Sequence, residues 1–72
     1  MLSGKLSNYQ SNNDLEGLSL ILDELNNFDL SHKSQIYIDN IHYICDLIKR
    51  GVNDDDMGIL DEAIEILFNL DL

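Results

Sequence analysis

The sequence predicts a small all-α protein, on three observations. Apolar residues recur at three- and four-residue steps through most of the 72 residues. The chain has no Pro, and Ser, Asn and Asp stand where helix caps are needed. Leu and Ile supply 22 residues while Ala supplies one, a composition of large side chains that need burying. The expected architecture is a single domain over 1–72. It holds three short antiparallel helices, at about 14–28, 32–50 and 54–70, after a flexible N-terminal arm over 1–12.

The arm, MLSGKLSNYQSN, is polar and rich in Ser and Asn, although Leu2, Leu6 and Tyr9 lie at helical spacing. In the first helix, Asn12 or Asn13 caps the start, and Asp14 and Glu16 sit where the helix dipole favours negative charge. Leu15, Leu18, Leu22 and Leu25 form its stripe, with Ile21 and Phe28 extending it. The second helix opens at Ser31 and is expected to end at Gly51, with Lys49 and Arg50 in its last turn. Tyr37, Ile41, Ile44 and Ile48 make one face of it, and Ile36, Tyr43 and Leu47 a second, rotated face. Gln35 to Asp39 is β-branched and aromatic, but the helical period runs through it. Asn53 or Asp54 caps the third helix, with Asp54, Asp55 and Asp56 crowding its positive end. Met57, Leu60, Ile64 and Leu67 form its core stripe, and Ile59, Ile66 and Leu70 a second apolar line.

Fourteen acids against four bases give a formal charge of −10, and the segment from Gly51 onward carries seven acids and no base. A surface this acidic argues against direct binding of nucleic acid or an anionic membrane. At 44% hydrophobic residues the chain is too apolar for intrinsic disorder. One Cys excludes an internal disulfide, and no apolar run reaches the roughly 18–20 residues of a membrane span. The expected compartment is the cytoplasm of a bacterium or phage, since eight Asn and nine Ile suit an AT-rich gene.

No constellation of residues carries a reaction, and the expectation is a protein without catalytic residues, cofactor or metal. His42 and Cys45 are one helical turn apart, yet zinc needs three or four ligands, and His32 lies too far along to join them. Asp54, Asp56 and Glu65 fall on positions one, three and twelve of a calcium-loop frame, but Gly58 then stands where a ligand is needed and Ile59 where the Gly belongs. Asp23-Glu24 and Asp61-Glu62 are sequence neighbours and point apart on a helix. Gly4-Lys5 lacks the earlier Gly and the adjoining Ser or Thr of a phosphate loop.

The segment Asp14 to Leu20 resembles the prosthetic-group site of acyl carrier proteins, but Leu18 replaces the Asp that precedes their modified Ser. A broader likeness lies in Leu47-Ile48-Lys49-Arg50-Gly51 followed by Met57 to Leu67. This stretch of 21 residues is similar to the helix–Arg-Gly–helix layout of the YscE-like small cochaperones of type III secretion needle subunits. The resemblance implies a cytoplasmic helical hairpin that works with a larger chaperone to keep a needle subunit soluble. It assigns no residue a role.

Three short rods carry more Leu and Ile than a chain of this length is expected to bury alone, so a partner protein or a second copy is expected. The residues expected to meet it are Ile36, Tyr43, Leu47, Ile59, Ile66 and Leu70. The function that follows is a non-enzymatic helical interaction module, a small cochaperone or adaptor. The alternative is a charge-driven inhibitor, such as an immunity protein, an antitoxin or a DNA mimic, whose acids cover a basic site.

Overall fold

Four helices, not three, arise from residues 2–72, the residues described by a computed structural model. They are α1 (Leu2–Ser11), α2 (Leu15–Asn26), α3 (Gln35–Asp54) and α4 (Met57–Asn69). Each packs on two neighbours in a ring: α1 on α2, α2 on α3, α3 on α4, and α4 back on α1. The directions alternate. At one end of the bundle the amide of Ser3 donates to the carbonyl of Leu72 (3.1 Å), while at the other the Gln10 side-chain amide donates to the carbonyl of Met57 (2.9 Å). The arrangement is an up-down four-helix bundle with local connections.

The expected flexible arm is therefore corrected: it is α1. Ser, Asn and Gly make it a poor helix former, and an isolated helix of this length is marginal in water. Tertiary burial decides the matter, because Leu2 and Leu6 are buried and Tyr9 packs against the core. The ring of the Tyr9 side chain rests over Gly17 so closely that a Cβ there would lie 2.5 Å from a ring carbon.

The ends of α1, α3 and α4 repeat one device. Asn13, Asp55 and Asp71 have positive φ, and the residue after each donates its amide five residues back: Asp14 to Tyr9, Asp56 to Gly51 and Leu72 to Leu67. This is the Schellman helix ending, with Asn or Asp in the left-handed position that Gly more often fills. At the first two joints the next residue caps the following helix. Asp14 accepts from the Gly17 amide and Asp56 from the Gly58 amide, both at 3.0 Å. Asn12–Asn13 thus ends α1 and does not begin α2, and the expected cap moves to Asp14.

α3 also differs from its expected bounds. It starts at Gln35 with Ser34 as its cap, the Ser34 hydroxyl accepting from the Tyr37 amide at 3.2 Å. Ser31, the expected cap, instead donates its amide (3.1 Å) and hydroxyl (2.6 Å) to Asp29, holding that carboxyl below its ordinary pKa. Gly51 does not stop the helix. It is buried within it, where a Cβ would lie 2.8 Å from Leu60, and the chain continues to Asp54. Only Asp56 of the acidic triplet occupies a helix start. Asp54 lies in the last turn of α3, at the negative end of the dipole.

At 1.5 Å per residue α3 spans about 30 Å, while α2 and α4 span about 18–20 Å, so the first turns of α3 outrun both neighbours. The segment 27–34 bridges this overhang and packs Phe28 and Leu30 against the core. The core itself is centred on Leu6, Leu18, Ile21, Leu25, Ile41, Ile44, Ile48, Leu60 and Leu67.

The fourth helix changes the burial expectation. Eleven of the 22 Leu and Ile are buried, eight are half-buried, and only Leu15, Leu20 and Ile36 are exposed. The surface of 4504 Å² matches the about 4,500 Å² that a compact monomer of 8.2 kDa exposes. The bundle closes its core with its own four helices and needs no second chain to do so.

Candidate interaction surface

The six residues expected to meet a partner lie along one seam. On α3, Ile36 and Tyr43 are two turns apart and share a flank, with Leu47 one turn further on. On α4, Ile59, Glu62, Ile66 and Leu70 recur at three- and four-residue steps along another flank. The Tyr43 hydroxyl donates to Glu62 Oε1 at 2.9 Å, which joins the two flanks across the seam. That bond to a carboxylate raises the Tyr43 pKa, with partial desolvation and the Glu62 charge acting in the same direction.

The seam does not treat the six alike. Leu47 is 2% exposed and belongs to the core, so its expected role as a surface residue is corrected: α4 covers it. Ile59, Ile66 and Leu70 are half-buried against the core. Tyr43 is 42% and Ile36 75% exposed, Ile36 standing on the overhanging first turn of α3. What reaches solvent is a strip led by Ile36 and Tyr43 and backed by the edges of Ile59, Ile66 and Leu70.

Carboxylates border this strip on both sides. Asp39 and Asp46 lie one turn from Ile36 and Tyr43 on α3; on α4, Glu62 meets the Tyr43 hydroxyl across the strip and Glu65 follows one turn on; all four are exposed. The cation on the α3 flank, Arg50, is held by Asp46 at 2.9 Å.

Elsewhere on the molecule the exposed apolar side chains are scattered. Phe68, 65% exposed, lies on the same side of α4 as Asp61, whose carboxylate accepts from Gln10 of α1 at 2.6 Å, and thus away from the α3 seam. Leu15 and Leu20 are five residues apart on α2 and do not share a face. An open depression of about 350 Å³ is lined by Leu2, Lys5, Glu24, Phe28, Asp71 and Leu72, where the starts of α1 and ends of α2 and α4 meet. Its charged side chains are two carboxylates, Glu24 and Asp71, and the amine of Lys5.

The two residues that suggested a metal diverge. His42 is exposed on α3, whereas Cys45 is buried with its sulfur 3.9 Å from Asn26 Oδ1. Burial raises the Cys45 thiol pKa, partly opposed by Lys49. Among the described residues no three His, Cys, Asp or Glu gather as a ligand set, and no helix is long and apolar enough to cross a membrane.

No protein-family model, no curated protein and no solved structure matches the chain.

Proposed function

We propose that the chain is a non-enzymatic helical protein-interaction module, a small cochaperone or adaptor that docks a partner on the α3–α4 seam. The observation that carries this reading is Ile36, a large aliphatic side chain 75% exposed on the same flank as Tyr43. Apolar side chains scattered singly on a surface need no explanation; an exposed Ile and Tyr on one flank, backed by three half-buried apolar residues across a seam, make a strip on which a partner can dock. A role in type III secretion rests on the sequence likeness of Leu47–Gly51 and Met57–Leu67 to the YscE-like cochaperones alone, since Arg50 and Gly51 lie within α3 and not at the turn.

The runner-up is a charge-driven inhibitor of a basic site, such as an immunity protein, an antitoxin or a DNA mimic. It is favoured by the exposure of all seven acids from Gly51 onward.

Affinity capture from native cells separates the two. Wild-type bait and an Ile36→Ser/Tyr43→Ser bait are compared, each washed at low and high salt. A protein held by wild type through the high-salt wash and missing from the variant supports seam docking. A protein held equally by both baits and released by salt supports the inhibitor. Identical, salt-resistant capture by both baits refutes the seam reading.

A further inference from the structure

The chemistry bordering the seam specifies its occupant more narrowly, and this step rests on the seam being the docking surface. We propose that the seam takes a basic amphipathic helix of another protein: an apolar stripe flanked on both sides by Lys or Arg.

The apolar part selects the stripe. Ile36 and Tyr43 are two turns apart, about 10 Å along α3. Anchors repeating every two turns match a helix laid along the seam with its own apolar residues at three- and four-residue steps. Ile59, Ile66 and Leu70 line the opposite wall, so the incoming stripe meets apolar surface from both α3 and α4.

The border selects the charge. Asp39 and Asp46 stand on the α3 side and Glu62 and Glu65 on the α4 side; Asp46 already holds Arg50 and Glu62 already accepts from Tyr43, which leaves Asp39 and Glu65 without a basic or hydroxyl partner across the strip. A helix with carboxylates beside its stripe would set like charges against both borders, which costs association energy and slows encounter. Lys or Arg on both flanks would meet opposite charge instead. The same consideration disfavours a second copy of this chain. Each copy carries −10, and joining two seams would place four acidic borders together.

The test uses designed helices of about 21 residues, six turns, titrated against the full-length protein with amide NMR shifts as readout. One peptide carries Leu at positions a and d of each heptad and Lys at e and g. A second has Glu at e and g, a third Gln there, and a fourth scrambles the Lys peptide so that no stripe remains. The Lys-flanked peptide is expected to bind about tenfold or more tighter than each of the others, with the largest shifts along the α3–α4 seam. Ile36→Ser/Tyr43→Ser is expected to remove that advantage and Phe68→Ser to leave it. All three positions are exposed, and circular dichroism verifies that the variants fold.

Each other outcome has a defined meaning. Equal, seam-mapped binding of the Gln- or Glu-flanked peptide overturns the charge requirement and leaves the seam reading standing. Equal binding of the scrambled peptide, or shifts that avoid the seam, overturns the helix and leaves only acid-driven attraction. If no peptide binds and the protein is dimeric through the seam, the occupant is a second copy and the inference fails. If no peptide binds to a monomer, both the inference and the seam reading fall.

Discussion

Substituting Gly51 with Ala should destabilise the bundle, although a helix-interior Gly→Ala change ordinarily stabilises by about 1 kcal/mol. Gly51 of α3 lies tight against Leu60 of α4. A Cβ built there lies 2.8 Å from both Cγ and Cδ2 of Leu60 and 3.3 Å from the backbone oxygen of Asp56. Carbon atoms pack best at about 3.5–4.0 Å, so the two helices must separate or Leu60 must leave its rotamer. Leu60 is 1% exposed and has no solvent to swing into. Overpacking of this kind costs about 1–3 kcal/mol, which exceeds the propensity gain and leaves a net loss of about 0–2 kcal/mol. Gly4→Ala is the matched control, because no atom lies within 4 Å of a Cβ at that position of α1. It should stabilise by about 0.5–1 kcal/mol. Thermal melts followed by circular dichroism, at about 4–8 °C per kcal/mol for a domain this small, should separate the two variants by at least about 2 °C. If Gly51→Ala raises Tm as much as Gly4→Ala, the close approach of α3 and α4 is wrong.

Leu6→Ala should cost about 2–5 kcal/mol, comparable with the whole stability expected of so small a core, and leave the protein largely unfolded in urea titrations at room temperature; an unchanged midpoint would mean that α1 is dispensable. Asp55→Gly should raise Tm by roughly 2–8 °C, since Gly tolerates φ 52° and removes a charge from the negative end of the α3 dipole. Asp55→Asn divides the two contributions, and a fall in Tm for the Gly variant would contradict the left-handed cap. In ultraviolet titration the step that Tyr43→Phe removes should lie above the ordinary tyrosine value of 10.0. The folded pKa of Tyr43 is the raised one, so its bond to Glu62 contributes fully below the unfolded tyrosine pKa and is lost as pH rises through the folded value. A removed step at or below that value would dismiss the Tyr43–Glu62 contact.

The all-α class, the three longer helices and most of their inward stripes were legible from spacing alone. Leu18, Ile21 and Leu25, then Ile41, Ile44 and Ile48, then Leu60 and Leu67, recur with the helical period and are buried. Periodicity is written locally, because each apolar residue's face is set by its distance from the next. The six seam residues were legible as second apolar lines for the same reason. Their division into covered and exposed was not. Leu47 disappears under α4 while Ile36, on the same flank, outruns it, and only the relative lengths of α3 and α4 decide that.

Where the sequence misled, it did so at places governed by neighbours distant along the chain. Leu2, Leu6 and Tyr9 signalled α1, but the low helix propensity of the Ser, Asn and Gly around them concealed it until packing on α2 and α4 outweighed propensity. Gly51 carried a helix-end signal and turned out to be a contact point, its missing side chain making room for Leu60. The residue that ends the helix is Asp55, which nothing in the local sequence marks over its acidic neighbours. By itself the sequence determined helix type, charge and the identity of the apolar faces, since these depend on composition and on spacing within single turns. Tertiary structure decided the number of helices, their ends and which apolar side chains reach water, since those depend on which surfaces of distant segments meet.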